Sequence, residues 1–486
     1  MINFKTDNNY YIYDQVCKEL YSSNKVIYFT LRYVEENSLS LSQLSKVDLN
    51  KIASMNNFNI EDVNKSLLRI KYIHSILKNN KISGINNSKS INKKSIDNSL
   101  ANVKQIIIEI TERCNMSCYY CCYGDIYKSC GSREKNINIS KCIIALDQIL
   151  SLLNSNLNIS ANNSIVISFY GGEPLLNFEG IKEIVNYVSN YNLDSIKVQY
   201  SMTTNGVLLD KYYKFLVENN FNLMISLDGD LEQNSYRKLK NGTIAYEIIL
   251  NNIMTIIKEY PTYFNNKVNF ISVLHNKNSL ISLYEYFRKF SKKPYVTTLS
   301  REGINDNRND EFNNIYNSGN ITTPMLEDIR EADFELYNDM LLNSDTGISS
   351  MFNELHSVAD IFNEKLMKRD SNASCYLFQT KVFLAVSGEI YPCEKADRKF
   401  AFGNYNGSKL EFYEDKIKSF YEVIRKSSNE HCSTCFVKDQ CKHCFFSEPE
   451  MYKKCNICMV TKDTYIANLI KAIQLEEKPL NILPYE

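Results

Sequence analysis

The chain of 486 residues carries no net charge, since 56 Lys and Arg balance 56 Asp and Glu. Binding to nucleic acid or to an anionic membrane surface draws on clustered positive charge. The composition supports neither, and no nucleic-acid partner is expected. Long apolar runs are also missing. None approaches the roughly eighteen residues that a membrane-spanning helix requires. The opening residues, Met1-Ile2-Asn3-Phe4-Lys5-Thr6-Asp7, lack the apolar core of a secretion signal. The expectation is a cytoplasmic protein with no membrane partner. Trp is absent while Asn, Lys and Ile are used heavily, a genomic bias without functional weight. At about 150 residues per domain, the length predicts two to four domains with a sizeable core.

Cysteine, by contrast, is abundant, with fifteen in the chain. In the cytosol such a count argues for metal binding over disulfides. Eleven of the fifteen fall in two places. The first is the loop Cys114-Asn115-Met116-Ser117-Cys118-Tyr119-Tyr120-Cys121, which follows the apolar run Ile106–Ile110. Three thiolates can hold three irons of a four-iron cluster, leaving the fourth iron open to another ligand. A partial zinc site or a set of small buried thiols fits the same residues, although zinc usually recruits CxxC pairs. The second place holds Cys375, Cys393, Cys432, Cys435, Cys441, Cys444, Cys455 and Cys458. Its CxxC pairs, with His431 and His443 nearby, are also zinc-ribbon spacing. Cys17, Cys130 and Cys142 match neither pattern, and Cys122 is expected to be a packed thiol.

Periodicity divides the chain. Residues 1–79 combine aromatic and β-branched stretches at Asn9–Asp14 and Lys25–Phe29, read as short strands, with helical spacing of Val63, Leu67, Ile70, Ile73 and Leu77. His74 on that helix is read as a boundary residue. Residues 80–103 are rich in Asn, Ser and Lys and read as a flexible linker. Residues 104–300 alternate apolar strands, at 104–110, 165–170, 197–204, 222–227 and 268–274, with helices such as Ile144–Leu153 and Lys211–Val217. Such alternation gives a parallel sheet with helices outside it. Residues 301–368 read as a connecting segment, with an Asn-rich loop at 303–323 and then a helical stretch. Residues 369–486 form the cysteine-rich end.

The motifs along 104–300 resemble those of the radical S-adenosylmethionine (radical SAM) enzymes. The C-x3-C-x2-C loop carries the aromatic Tyr120 just before its last cysteine. The strand Ile165–Tyr170 runs into Gly171-Gly172-Glu173-Pro174. Ser201-Met202-Thr203-Thr204-Asn205-Gly206 and Ile225-Ser226-Leu227-Asp228-Gly229 match the family's TNG and SLDG elements in order. Arg237 matches the arginine of HDxxR, although Gln233 and Asn234 replace His and Asp, and Asp230 replaces a proline. The resemblance implies a partial (β/α)6 TIM-type barrel. It also implies a [4Fe–4S] cluster on Cys114, Cys118 and Cys121, and binding of S-adenosylmethionine by Tyr120, Gly171, Gly172, Glu173, Asn205, Ser226 and Arg237. The family reaction cleaves this cofactor reductively, and the 5′-deoxyadenosyl radical then abstracts hydrogen from the substrate.

The second cysteine group resembles a SPASM domain, found in peptide-modifying members. Gly388 and Cys393 form its G-x4-C element, and Cys432, Cys435, Cys441 and Cys444 follow C-x2-C-x5-C-x3-C except that the last gap holds two residues. The resemblance implies two auxiliary [4Fe–4S] clusters. Cys375, Cys393 and Cys444 would serve one. Cys432, Cys435, Cys441 and either Cys455 or Cys458 would serve the other. Glu394, beside Cys393, stands where related sulfatase-maturing enzymes carry a catalytic base; a solvated carboxylate is the alternative. Residues 1–79 resemble a winged-helix-like peptide-recognition unit, or serve as a structural extension. The expected activity is that of a radical SAM peptide maturase acting on a ribosomal precursor peptide to make a thioether or another crosslink. A reductant such as flavodoxin or ferredoxin would supply electrons. A sulfatase-maturing enzyme, and a non-enzymatic zinc or electron-transfer protein, are the alternatives.

Overall fold

A computed structural model describes residues 2–7, 9–14, 19–39, 43–79, 91–128, 133–158, 164–193, 196–300, 303–317, 377–378, 380–427 and 446. Cys17, Cys130, Cys375, the six cysteines from Cys432 to Cys458 and the expected helical stretch before residue 368 lie outside the described residues.

The N-terminal unit is a three-stranded antiparallel sheet followed by three helices. Strands β1 (Ile2–Lys5), β2 (Tyr10–Asp14) and β3 (Glu19–Ser23) lie in the order β1-β2-β3. Helices α1 (Lys25–Glu36), α2 (Lys46–Asn56) and α3 (Ile60–Asn79) follow. The strand expected at Lys25–Phe29 is instead the start of α1. Asn24 caps it by accepting from the Ile27 backbone N–H at 2.8 Å, and Ile27 and Leu31, one helical turn apart, join Ile12 and Ile70 in a small core. Val63 and Leu67 on α3 are buried as their spacing predicts; the side chain of His74 lies outside the described residues.

The second half of the expected linker is ordered. Residues Lys93–Ala101 form α4, opened by a capping box between Asn92 and Ser95. Ile96, Leu100, Ala101 and Val103 are buried in the main core. Three apolar residues on α4, with Val103 just beyond it, outweigh the polar composition that surrounds them.

Six parallel strands carry the main sheet: β4 (Gln105–Thr111), β5 (Ser164–Gly171), β6 (Lys197–Thr204), β7 (Asn222–Ser226), β8 (Val268–Leu274) and β9 (Tyr295–Thr298). Between them run α5 (Ile139–Leu153), α6 (Phe178–Ser189), α7 (Leu209–Glu218), α8 (Tyr246–Glu259), α9 (Pro261–Lys267) and α10 (Leu280–Arg288). This is the expected α/β fold, an open, partial barrel. Strand β9, only four residues long, was not among the expected strands. The loop expected at 303–323 contains a short helix, α11 (Asn309–Ile315), with Phe312 and Ile315 buried.

Alternation along the strands separates two faces. Ile165, Ile167, Phe169, Leu223, Ile225, Phe270 and Leu274 are buried in one core with the helices. The opposite face carries Gln199, Ser201, Thr203, Asn222, Ser226 and Asn269, all half-buried. It also carries the half-buried Val166, Met224, Ile271 and Val273, so this partly accessible lumen mixes polar and apolar groups, unlike the apolar layers that fill a closed eight-stranded barrel.

The sheet does not stop at β4. Strand β10 (Lys381–Leu384) pairs with β4 in parallel, Lys381 opposite Gln105 and Leu384 opposite Ile108. Strands β11 (Glu389–Tyr391), β12 (Gly403–Asn404) and β13 (Glu411–Phe412) continue it in antiparallel order to ten strands. The turn between β10 and β11 needs Gly388, which sits at φ +86° and where a Cβ would lie 2.1 Å from Asn406 Oδ1. Helix α12 (Glu414–Ser427) packs Phe420 against Phe400, Phe402 and Phe446. The first part of the cysteine-rich end is thus an extension of the barrel sheet. Its pairing with β4 spans nearly three hundred residues of sequence.

Candidate functional site

The C-x3-C-x2-C loop starts three residues beyond β4 and is fixed by its neighbours' backbones. Ser117 N–H donates to Lys238 C=O at 2.8 Å, and Tyr119 N–H to Tyr236 C=O at 3.0 Å. The loop closes on itself through Cys121 N–H to Cys118 C=O at 3.1 Å and Gly124 N–H to Cys121 C=O at 2.7 Å. All three thiols are half-buried and free. Burial pushes the Cys118 thiol up to about 12 despite the nearby Arg237 guanidinium. Burial raises Cys114 as well, whereas a hydrogen bond with the Cys122 thiol holds Cys121 below the usual thiol range. Cys122 itself is exposed, not the packed thiol expected from sequence; it sits in the turn closed by the Gly124 N–H to Cys121 C=O bond. Cys142, on α5, is fully buried in the core.

The Gly-Gly-Glu-Pro turn grips the root of this loop. Gly172 N–H donates to Thr111 C=O at 3.0 Å, and Glu173 N–H to Arg113 C=O at 2.8 Å. A Cβ on Gly171, at φ +134°, would stand 2.0 Å from the Thr111 oxygen, and one on Gly172 would stand 2.3 Å from that of Arg113. Both glycines are therefore required for contact between the two backbones, in addition to any approach to a ligand.

Glu173 is fully buried. It accepts from Leu175 N–H at 3.1 Å, Thr204 Oγ1–H at 2.8 Å and Asn205 N–H at 2.7 Å. Burial raises its carboxyl to about 7, with these three donors pulling the other way. Its carboxylate ties the turn after β5 to the end of β6. The Asn205 amide in turn donates to Asn115 Oδ1 at 2.7 Å and approaches Cys114 Sγ at 3.8 Å. The backbone N–H of Met116 lies 3.4 Å from the same sulfur.

A buried polar network closes the other side. Asp228, fully buried after β7, takes Arg237 Nε at 2.9 Å and Nη2 at 3.2 Å, and Val273 N–H at 2.9 Å. The Tyr120 hydroxyl also donates to it. His275, with no exposed surface, lies 3.7 Å away through Nε2 and stacks on the Tyr120 ring at 5.7 Å. Burial would raise the Asp228 carboxyl, but Arg237, His275 and Tyr120 together hold it at about 2. Removing one partner of such a buried pair typically costs about 3–5 kcal/mol. The replacements noted in HDxxR keep local roles: Asn234 Oδ1 accepts from Asp228 N–H at 3.1 Å, and Gln233 Oε1 from Asp230 N–H at 3.0 Å. Sequence reading named Tyr120 and Arg237 as cofactor contacts. It did not foresee that each is anchored by Asp228, nor the part of His275. The SLDG motif was the available signal for Asp228; His275 had none.

Cys393 and Glu394 follow β11, which runs antiparallel to β10. They therefore lie level with the start of β4, while Cys114 lies beyond its end. Seven residues of strand separate the two levels, a span of about 20 Å at roughly 3.3 Å per residue. Glu394 is paired with Lys381 Nζ at 2.9 Å and is largely buried, with a side chain 13% exposed. It is thus neither a solvated carboxylate nor an unpaired base. Ser226 sits half-buried on the lumen face at the end of β7.

Residues 108–286 match the model of the Radical SAM superfamily. This part of the chain is a radical SAM domain. A cysteine-type anaerobic sulfatase-maturating enzyme of Clostridium novyi is 28% identical over 304 residues, covering 61% of this chain and 74% of that protein. An uncharacterized protein of Methanocaldococcus jannaschii is 27% identical over 322 residues, covering 66% of this chain and 95% of that one. A solved structure described as native anSMEcpe with bound AdoMet and the Cp18Cys peptide is 19% identical, with a TM-score of 0.49, covering 76% of this chain and 99% of that one. The family implies S-adenosylmethionine and a [4Fe–4S] cluster. The loop fits them: it offers three free thiols, and the Asn205 amide and Met116 N–H aim at Cys114 as they would at a thiolate. Among the described residues, no three His, Cys, Asp or Glu side chains gather on one metal ion. No described helix is long and apolar enough to cross a membrane.

Glu173 gives a pH test. Its folded carboxyl titrates near about 7, above the ordinary value of 4.5, so folding favours the neutral form. The contribution is complete below about pH 4.5 and is lost as pH rises through about 7. Glu173→Gln keeps the neutral form at every pH. In urea titrations of the cluster-free protein, the difference in unfolding free energy between variant and wild type should change across that window and level off above it. A constant difference would contradict the assignment.

Proposed function

We propose that this radical SAM enzyme is a maturase of a ribosomally made peptide, with Cys114, Cys118 and Cys121 holding the radical-generating cluster. The observation that carries the reading is the lumen. One partly accessible sheet face, with polar groups interspersed among apolar ones, lies between the C-x3-C-x2-C loop at one end and Cys393–Glu394 at the other. With S-adenosylmethionine, the cluster supplies a 5′-deoxyadenosyl radical. The chain's own residues orient the reactants. Asn205, held by Glu173, fixes the loop at Cys114. Asp228 aligns Tyr120 and Arg237 on the cofactor side. The half-buried Gln199, Ser201, Thr203 and Asn222 offer neutral hydrogen-bonding groups along the sheet, which suit a peptide's amides and hydroxyls. A positioned carbon close to the radical, with water kept away, is what the reaction needs of the protein.

At the far end, Cys375, Cys393 and Cys432–Cys458 would hold two auxiliary clusters that accept the electron released as the product forms. Glu394 is the candidate base, with Lys381 holding its position. The N-terminal unit would receive a leader peptide by strand addition to an open edge of β1–β3. The similarity to the sulfatase-maturating enzyme of Clostridium novyi favours a second reading, in which the substrate is a cysteine of a sulfatase. Both readings place a polypeptide side chain in the lumen, a flavodoxin or ferredoxin as reductant, and the enzyme in the cytoplasm.

Replacing Cys114, Cys118 and Cys121 together by Ala should abolish 5′-deoxyadenosine formation under dithionite while iron bound by the C-terminal cysteines persists. Undiminished formation would sink the cluster assignment. Removing residues 1–79 should weaken precursor turnover and spare peptide-independent cleavage of S-adenosylmethionine, once folding and iron content are checked. Equal precursor turnover would favour the sulfatase reading.

A further inference from the structure

We infer that Arg133 and Arg398 form a site for a carboxylate carried by the substrate; what bears that carboxylate rests on the peptide reading above. The site is built around Glu109, on the same face of β4 as Gln105, opposite Tyr170 of β5. The Glu109 side chain is 2% exposed. One of its oxygens accepts from Val386 N–H at 3.1 Å. The other is shared by two guanidiniums, Arg133 Nη2 at 3.5 Å and Arg398 Nη2 at 3.4 Å.

Both contacts are at the long limit of a hydrogen bond. Among the described residues, two guanidiniums share this one carboxylate, and Arg133 also acts on the Cys121 thiol of the loop. The neighbouring Lys381 and Glu394 neutralise each other. Arg133 Nη1 is buried and has no hydrogen-bond partner among the described residues, and a charged donor left in that state is costly. An ion pair serving only as a strut would use its donors more fully.

Aromatic rings adjoin both guanidiniums. The Tyr123 ring centroid lies 3.2 Å from Arg133 Cζ, and Phe383 and Tyr391 flank Arg398 at 5.6 and 5.1 Å. Arg398 also hydrogen-bonds the Tyr391 side chain, which leaves the unpartnered Arg133 Nη1 as the donor for a ligand; a guanidinium edge matches the two oxygens of a carboxylate. The Arg398 side chain is 40% exposed, so an incoming ligand can reach it. Glu109 lies at mid-height on β4, between the C-x3-C-x2-C loop and Cys393. A carboxylate bound there would fix the register of a peptide in the lumen. The methionine carboxylate of the cofactor has the same chemistry, and the test separates the two.

In cluster-loaded, full-length protein saturated with S-adenosylmethionine, capped Gly-Glu-Gly and Gly-Gln-Gly peptides and free glutarate are titrated anaerobically by calorimetry. The glutamate peptide should bind about tenfold more tightly than its glutamine isostere, since a charge-assisted bond is roughly twice as strong as a neutral one and a gain of about 1.4 kcal/mol is a factor of ten. Arg133→Gln and Arg398→Gln should each bring the ratio toward one. Equal affinities in the wild type, or a preference that survives both substitutions, overturns the site. A glutamate preference seen in the same protein without S-adenosylmethionine but lost at saturation also overturns it, because the carboxylate bound there would then be the cofactor's. Glutarate binding with the same dependence on both arginines supports the site even if no peptide is ever turned over, which keeps its fate distinct from that of the peptide reading.

Discussion

The contact between two backbones, Thr111–Arg113 leaving β4 and Gly171–Glu173 leaving β5, sets the position of everything around the cysteine loop. The strands are parallel neighbours, so their ends meet at the same edge of the sheet. The chain after β4 must turn there with no room for a side chain on the opposing segment. Two glycines meet that condition, and the buried Glu173 passes the constraint on to Thr204 and Asn205. Asn205 then reaches Cys114. A loop that would otherwise be free on the surface is thereby tied to three successive strands, and its fourth contact, to residues 236–240, comes from beyond β7.

The same sheet links the two cysteine regions. Pairing of β10 with β4 makes the start of the C-terminal region a continuation of the barrel, and the hairpin direction of β11 carries Cys393 to the opposite end from Cys114. The lumen between them is largely uncharged near β6–β8 and charged near β4 and β10. A substrate crossing it meets hydroxyl and amide groups on one side and guanidiniums on the other. The pleat sets which residues face inward: the fully buried apolar residues of β5–β8 face the helices, and the inner face mixes polar groups with Val166, Met224, Ile271 and Val273.

Much of this was legible in the sequence because it is local. The spacing of Cys114, Cys118 and Cys121, the glycines of the turn and five of the parallel strands each show in a short window. The misreadings have physical causes. Lys25–Phe29 has strand-like residues, but an Asn cap and one turn of apolar spacing make it a helix. Lys93–Ala101 is polar enough to pass as linker, yet three buried residues, Ile96, Leu100 and Ala101, suffice to dock it on the core. Strand β9 is too short to stand out. The pairing of β10 with β4 and the meeting of Arg133 and Arg398 at Glu109 join residues far apart in the chain, which no local pattern encodes.

The central claim is that the three thiols of the loop hold a four-iron cluster with one iron open to S-adenosylmethionine. Electron paramagnetic resonance of the dithionite-reduced protein, before and after S-adenosylmethionine is added, tests it most directly. The account predicts that the signal of one reduced cluster shifts when the cofactor's amine and carboxylate bind the open iron. A spectrum that stays unchanged at saturating cofactor, in protein with its full iron content, would contradict it.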